Sequence, residues 1–132
     1  MKYDDASWHF DGEFPELSPI QYGGTHIALF LKWCFIQGWA GEPYDDSHKA
    51  DMALVVSGSK DATDFLFQYC DGKLTDADLN IEGNMFAKQY YGDKGLYLDD
   101  YVELFGDLMY VKSERDHDFA KLSDLMEDRL SS

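Results

Sequence analysis

Thr25-His26-Ile27-Ala28-Leu29-Phe30-Leu31-Lys32-Trp33-Cys34-Phe35-Ile36-Gln37-Gly38-Trp39-Ala40-Gly41 holds no acidic residue in a chain that contains 26 of them. Wound as a helix, Ile27 to Ile36 place apolar groups on every side, with Lys32 as the single charge. A helix that is apolar all round is wrapped by other elements rather than laid on a surface. A membrane span needs about 20 predominantly apolar residues, and Gly38 cuts this run too early. The reading is a buried central helix over Thr25–Gly38, with Thr25 as its N-cap and Gly38 or Gly41 as its stop.

Working outward, the fold class is mainly α, at most α+β, in one domain over residues 1–132. That length is enough to bury a single core. Before the central helix, Trp8 and Phe10 alternate around His9 as an extended opening, followed by a loop through Gly12, Pro15, Pro19 and Gly23-Gly24. After it, Asp46 or Ser47 starts a short helix to Val56, although Leu54-Val55-Val56 reads equally as strand. Ala62, Phe65, Leu66, Tyr69 and Cys70 recur at helical spacing until Gly72 stops them. Thr75 with Asp78 has the form of a capping box, opening a helix that carries Leu79, Met85, Phe86 and Tyr90. Gly83 inside that helix costs about 1 kcal/mol relative to alanine. Tyr97, Tyr101, Leu104 and Phe105 mark another helix, and Phe119, Leu122, Leu125, Met126 and Leu130 a last one. Leu108–Lys112 is the expected second strand of a minor two-stranded element, pairing with the opening segment.

The formal charge of −15 lies beyond the magnitude of roughly 2–8 suited to a small soluble domain. Such a field repels nucleic acid and anionic membranes and speeds encounter with a basic partner. No positively charged, then apolar, leader opens the sequence, so a cytoplasmic location is expected. There Cys34 and Cys70, both in apolar helical pattern, serve as small hydrophobes rather than as a disulfide.

Chemical signatures are few. Asp71 to Asp78 imitates the second half of a calcium loop, but with Gly72 at the turn the first and third ligand positions fall on Phe67 and Tyr69. A helix stop at Gly72 and a helix start at Thr75 explain the same letters. His9, His26, His48 and His117 never pair at the i, i+4 spacing of a helical zinc site. Phosphate-cradling loops, serine elbows and basic patches interleaved with aromatics are missing too. No cofactor or metal is expected, and no enzyme signature is present. One alternative remains: a small enzyme or ligand-binding domain whose pocket lies near His9 and His26, with Asp4 or Asp5 as partner.

Three blocks carry a family likeness. Lys2-Tyr3-Asp4-Asp5-Ala6-Ser7-Trp8-His9, then Thr25-His26-Ile27 with Phe30-Leu31 and Trp33, then Tyr69-Cys70-Asp71-Gly72-Lys73-Leu74-Thr75-Asp76 running on to Leu79-Asn80, together resemble an uncharacterised family of small bacterial proteins. Several of its members look like immunity proteins of polymorphic or contact-delivered toxins. The resemblance implies a protein that neutralises a cognate toxin by direct binding, and the acidic balance suits a basic nuclease or another cationic toxin domain. The residues nominated for that contact are Asp71, Asp76, Asp78, Asp99, Asp100 and Glu103, with Trp8 and Tyr97 as aromatic anchors.

Overall fold

The computed structural model describes residues 2–5, 25–41, 46–60, 62–70, 72–92, 96–105 and 116–131. The elements run β1 (Lys2–Asp5), α1 (Thr25–Ile36), α2 (Asp46–Ser57), α3 (Ala62–Tyr69), β2 (Lys73–Thr75), a 3-10 turn (Asp76–Asp78), α4 (Ile81–Ala87), a π-helical turn (Lys88–Gly92), α5 (Leu96–Phe105) and α6 (Asp116–Ser131). This is a mainly α fold with a small two-stranded antiparallel sheet, as expected.

α1 is the axis of the core. Every residue from His26 to Phe35 is buried, and Ile36 at the end reaches solvent. α2, α3 and β2 pack against it, and the rings of Phe86, Tyr91 and Tyr97 close on Phe30 with centroids 5.0–6.2 Å away. Each such large apolar side chain contributes about 1.5–3 kcal/mol by leaving water. Lys32, the one charge on the helix, is 6% exposed, and its Nζ lies 4.3 Å from the centre of the Phe119 ring of α6. The aromatic face offers the ammonium a favourable contact in the interior.

Two expectations shift. The helix opened by Thr75 is only a 3-10 turn: Asp78 does fold back, its Oδ2 accepting the Thr75 N–H at 2.8 Å. α4 then starts separately, with Asn80 as its N-cap accepting the Gly83 N–H at 2.9 Å. Gly83 has a packing reason, since a Cβ there would lie 3.0 Å from the Cβ atoms of both Leu79 and Trp39. The second strand found among the described residues is Lys73–Thr75, read from sequence as the gap between two helices. Gly72 ends α3 at φ 73° and sends the chain straight into it. Leu108–Lys112 and the Trp8–Phe10 extension lie outside the described residues. Residues Leu54 to Val56, ambiguous in sequence, are helical.

The sheet has an irregular register, Lys2 facing Thr75, Asp4 facing Leu74 and Asp5 facing Lys73. The extra residue between Lys2 and Asp4 breaks the usual in-out alternation, as bulges do. Tyr3, Asp4 and Asp5 are consequently all buried.

Candidate functional site

The bulge delivers Asp4 into the core beside α1. Its Oδ2 lies 2.9 Å from His26 Nε2 and also accepts the Tyr91 hydroxyl, while Oδ1 accepts the Asp5 N–H at 2.7 Å. The π-helical turn matters here, because its wider winding carries the consecutive residues Tyr90 and Tyr91 into the interior together. Burial first, then Asp4, holds the Tyr91 phenol well above the ordinary tyrosine range. Tyr97 donates its hydroxyl to the His26 carbonyl at 2.5 Å and stacks on Tyr91 at 4.9 Å. Structure therefore brings together Asp4 and His26, two members of the sequence-derived pocket. Their surroundings are closed: His26 is 0% and Asp4 3% exposed. A general base has to come within hydrogen-bond reach of its substrate, and this ring presents no surface to one. Asp5, at 5% exposed, is equally enclosed, and His9 lies outside the described residues.

A second interior carboxylate, Asp100 on α5, accepts the Tyr90 hydroxyl at 2.6 Å and a two-pronged contact from Arg129 of α6. Arg129 Nε reaches Oδ2 and Nη2 reaches Oδ1, both at 2.9 Å. This forked geometry is the strong form of the arginine–carboxylate pair. It raises the Arg129 pKa, and burial followed by the Asp100 hydrogen bond raises that of Tyr90. Among the residues nominated for partner contact, Asp100 is thus occupied inside the protein. Asp78 is 9% exposed and turned onto Thr75. Tyr97 is 0% exposed and belongs to the core; aromatic helical spacing does not distinguish an anchor from a core ring. Asp76, Asp99 and Glu103 are exposed. Trp8 and Asp71 lie outside the described residues.

One surface feature has a shape of its own. Residues Trp39–Gly41 run antiparallel to Asp78–Asn80, joined by the Ala40–Leu79 bridge, by Gly41 N–H to the Asp78 carbonyl at 2.9 Å and by Asn80 N–H to the Trp39 carbonyl at 2.9 Å. The approach is so close that a Cβ on Gly41 would lie 2.1 Å from the Ala77 carbonyl oxygen. Beside this pair opens a depression of about 870 Å³, lined by the apolar Ala40, Gly41, Ala77, Leu79 and Ile81 and by the polar Asp76, Asn80, Glu82 and Asn84. Ile81 is 78% exposed, and Met85 one turn further along α4 is 61% exposed. Both residues were missed as surface: Met85 reads as a core position in the helical pattern, and only its i, i+4 relation to Ile81, off the Phe86–Ala87 side, hinted otherwise.

Among the described residues no group of three or more His, Cys, Asp or Glu side chains is arranged to hold a metal ion, and no helix is long and apolar enough to cross a membrane. Cys34 and Cys70 form no disulfide, and burial pushes the Cys34 thiol far above its ordinary value, which leaves it inert. No curated protein and no solved structure matches the chain. Residues 2–114, which hold the Asp4 network and the depression alike, match the sequence model of one family, described as a domain of unknown function (DUF7832), and the chain belongs to that family.

Proposed function

We propose that this protein neutralises a cationic protein by binding it, in the manner of a bacterial immunity protein toward its cognate toxin. The observation that carries the reading is the charge: 26 acidic against 11 basic residues, with carboxylates left exposed at Asp76 and Glu82 on one face and Asp99 and Glu103 on α5. Fields of this sign accelerate association with a basic partner and give it a steep salt dependence. The resemblance of the opening, central and Tyr69–Asn80 blocks to a family with immunity-like members points the same way. A cytoplasmic location belongs to the proposal, in keeping with two cysteines that form no disulfide.

The other reading, an enzyme or ligand-binding pocket at His26, draws on the Asp4–His26 pair. Complete burial of that pair, with Tyr91 on the same carboxylate oxygen, favours a structural use of it. The test is co-expression with the product of the neighbouring gene. Rescue of cells from that protein's toxicity, with a stoichiometric complex that weakens between low and moderate salt, supports neutralisation. A harmless neighbour, or toxicity undiminished by co-expression, rejects it.

A further inference from the structure

Charge alone attracts a partner without positioning it, and the protein offers a positioned surface next to its charge. The two most exposed large apolar side chains among the described residues, Ile81 and Met85, stand four apart on α4 and so share one stripe of that helix. Ile81 borders the depression, whose floor is held rigidly by the Trp39–Gly41 and Asp78–Asn80 pairing. The polar groups around it are already used. Asn84 gives its amide hydrogens to the carbonyls of Asp76 at 2.9 Å and Leu79 at 3.1 Å, and its oxygen accepts the Tyr3 hydroxyl at 2.7 Å. The Asn80 oxygen is taken by the Gly83 N–H. What the surface presents is therefore an apolar floor and stripe, edged by the carboxylates of Asp76 and Glu82.

Small polar ligands are recognised by a few convergent polar groups in a concave site, and here those groups point inward to the protein's own backbone. A second copy of the chain would bring Asp76 and Glu82 against an equally acidic molecule, which repulsion disfavours. The complement in shape and sign is a protein segment with an apolar side chain set between lysines or arginines. We propose that the Ile81–Met85 surface, with the adjoining depression, is the docking site for such a basic segment of a partner protein. The proposal rests on the reading of the protein as a binder of a cationic partner and assigns that binding to one face.

The test uses the full chain and a synthetic helical peptide bearing a leucine stripe flanked by arginines, followed by amide chemical shifts on isotope-labelled protein at about 0.15 M salt. Shifts confined to residues 40–41 and 76–85 are expected. Replacing both Ile81→Ser and Met85→Ser should weaken binding about tenfold or more, as truncating an anchor does, and so should Glu82→Lys. The pair Asp99→Lys with Glu103→Lys on α5, which does not line the depression, should cost less than Glu82→Lys and lose its effect as salt rises, because it adds to the field and not to the docking contact. Because all five substituted side chains are exposed, an unchanged urea midpoint serves as the folding control. Shifts scattered over the acidic surface, equal losses from the α5 pair, or no binding by the wild-type protein would each overturn the assignment. Self-association abolished by the Ile81/Met85 variant would also overturn it, by giving the face to a second copy. The two proposals part cleanly. Full toxin neutralisation by the double serine variant removes the docking site and keeps the function, whereas peptide binding at this face with a harmless neighbouring gene product does the reverse.

Discussion

Asp4 and Asp100 in the interior and Asp76, Glu82, Asp99 and Glu103 on the surface are the same chemical group under opposite conditions. Each interior carboxylate is enclosed and bound by named donors: Asp4 by His26, Tyr91 and the Asp5 amide, Asp100 by Tyr90 and Arg129. The exposed ones face water and set the field around the molecule. Neighbours on α5 make the contrast sharpest, because Asp99 is exposed and Asp100 is 5% exposed within the same turn. The lesson is that the described carboxylates fall into two populations: one holds elements together, and the other lies at the surface.

Removing an interior carboxylate is the strongest way to break that distinction. Asp4→Ala strips His26 and Tyr91 of a shared acceptor at the junction of β1, α1 and the π-helical turn. The expected loss is about 3–5 kcal/mol, the cost of leaving a buried pair half-made. Urea unfolding measures it directly. A loss below about 1 kcal/mol, in the range of ordinary surface substitutions, would mean that the network does not organise this junction.

Gly41→Ala attacks the floor of the proposed docking surface rather than its charge. The added Cβ meets the Ala77 carbonyl at 2.1 Å, a backbone atom with no rotamer to yield, so the two paired segments must separate. About 1–3 kcal/mol of stability should go, as for other overpacked sites, and peptide binding at Ile81 should weaken with it. Loss of stability with undisturbed binding would show that the floor's rigidity is irrelevant to docking.

How much of this was written in the chain depends on the range over which each feature is encoded. α1 was legible because its all-round apolar character is local, and so was the end of α3, because Gly72 is a local stop. The Lys73–Thr75 strand was not: three residues carry no periodicity, and their partner lies some 70 positions away at Lys2–Asp5. The same reason hides the split between Asp99 and Asp100, since Arg129, 29 residues beyond, decides which of the two is held inside. For the candidate site, Asp76 was named from charge while Ile81 and Met85 went unrecognised. A helical pattern records apolar positions without saying which side finds a neighbour.

Alkaline pH probes the interior side of the comparison without a mutation. Tyr3 is pushed up to about 12 by burial first and then by Asp76 and Cys34, and the phenols of Tyr90, Tyr91 and Tyr97 are raised as well, burial again the largest cause. A group whose folded pKa exceeds its unfolded value stabilises fully below the unfolded pKa and loses that contribution as pH climbs toward the folded one. For Tyr3 the window runs from 10.0 to about 12. Stability should therefore fall above pH 10, with phenolate absorbance from these rings appearing together with unfolding. Ionisation of all tyrosines at about pH 10 in a protein still folded by circular dichroism would contradict the burial assigned to them.

The smallest effect belongs to the outer population. Asp99→Lys with Glu103→Lys moves four units of charge yet touches no interior group, so the urea midpoint should correspond to a change within about 0.5 kcal/mol. Association with a basic partner should respond differently, through a slower on-rate whose deficit fades as salt rises, because a remote surface charge steers encounter more than it holds the complex. Stopped-flow association at two ionic strengths separates the two quantities. If the same pair lost several kcal/mol of stability, Asp99 would have to share the structural role of Asp100, and the division of the acidic residues into holding and steering groups would fail at the position where the two stand side by side.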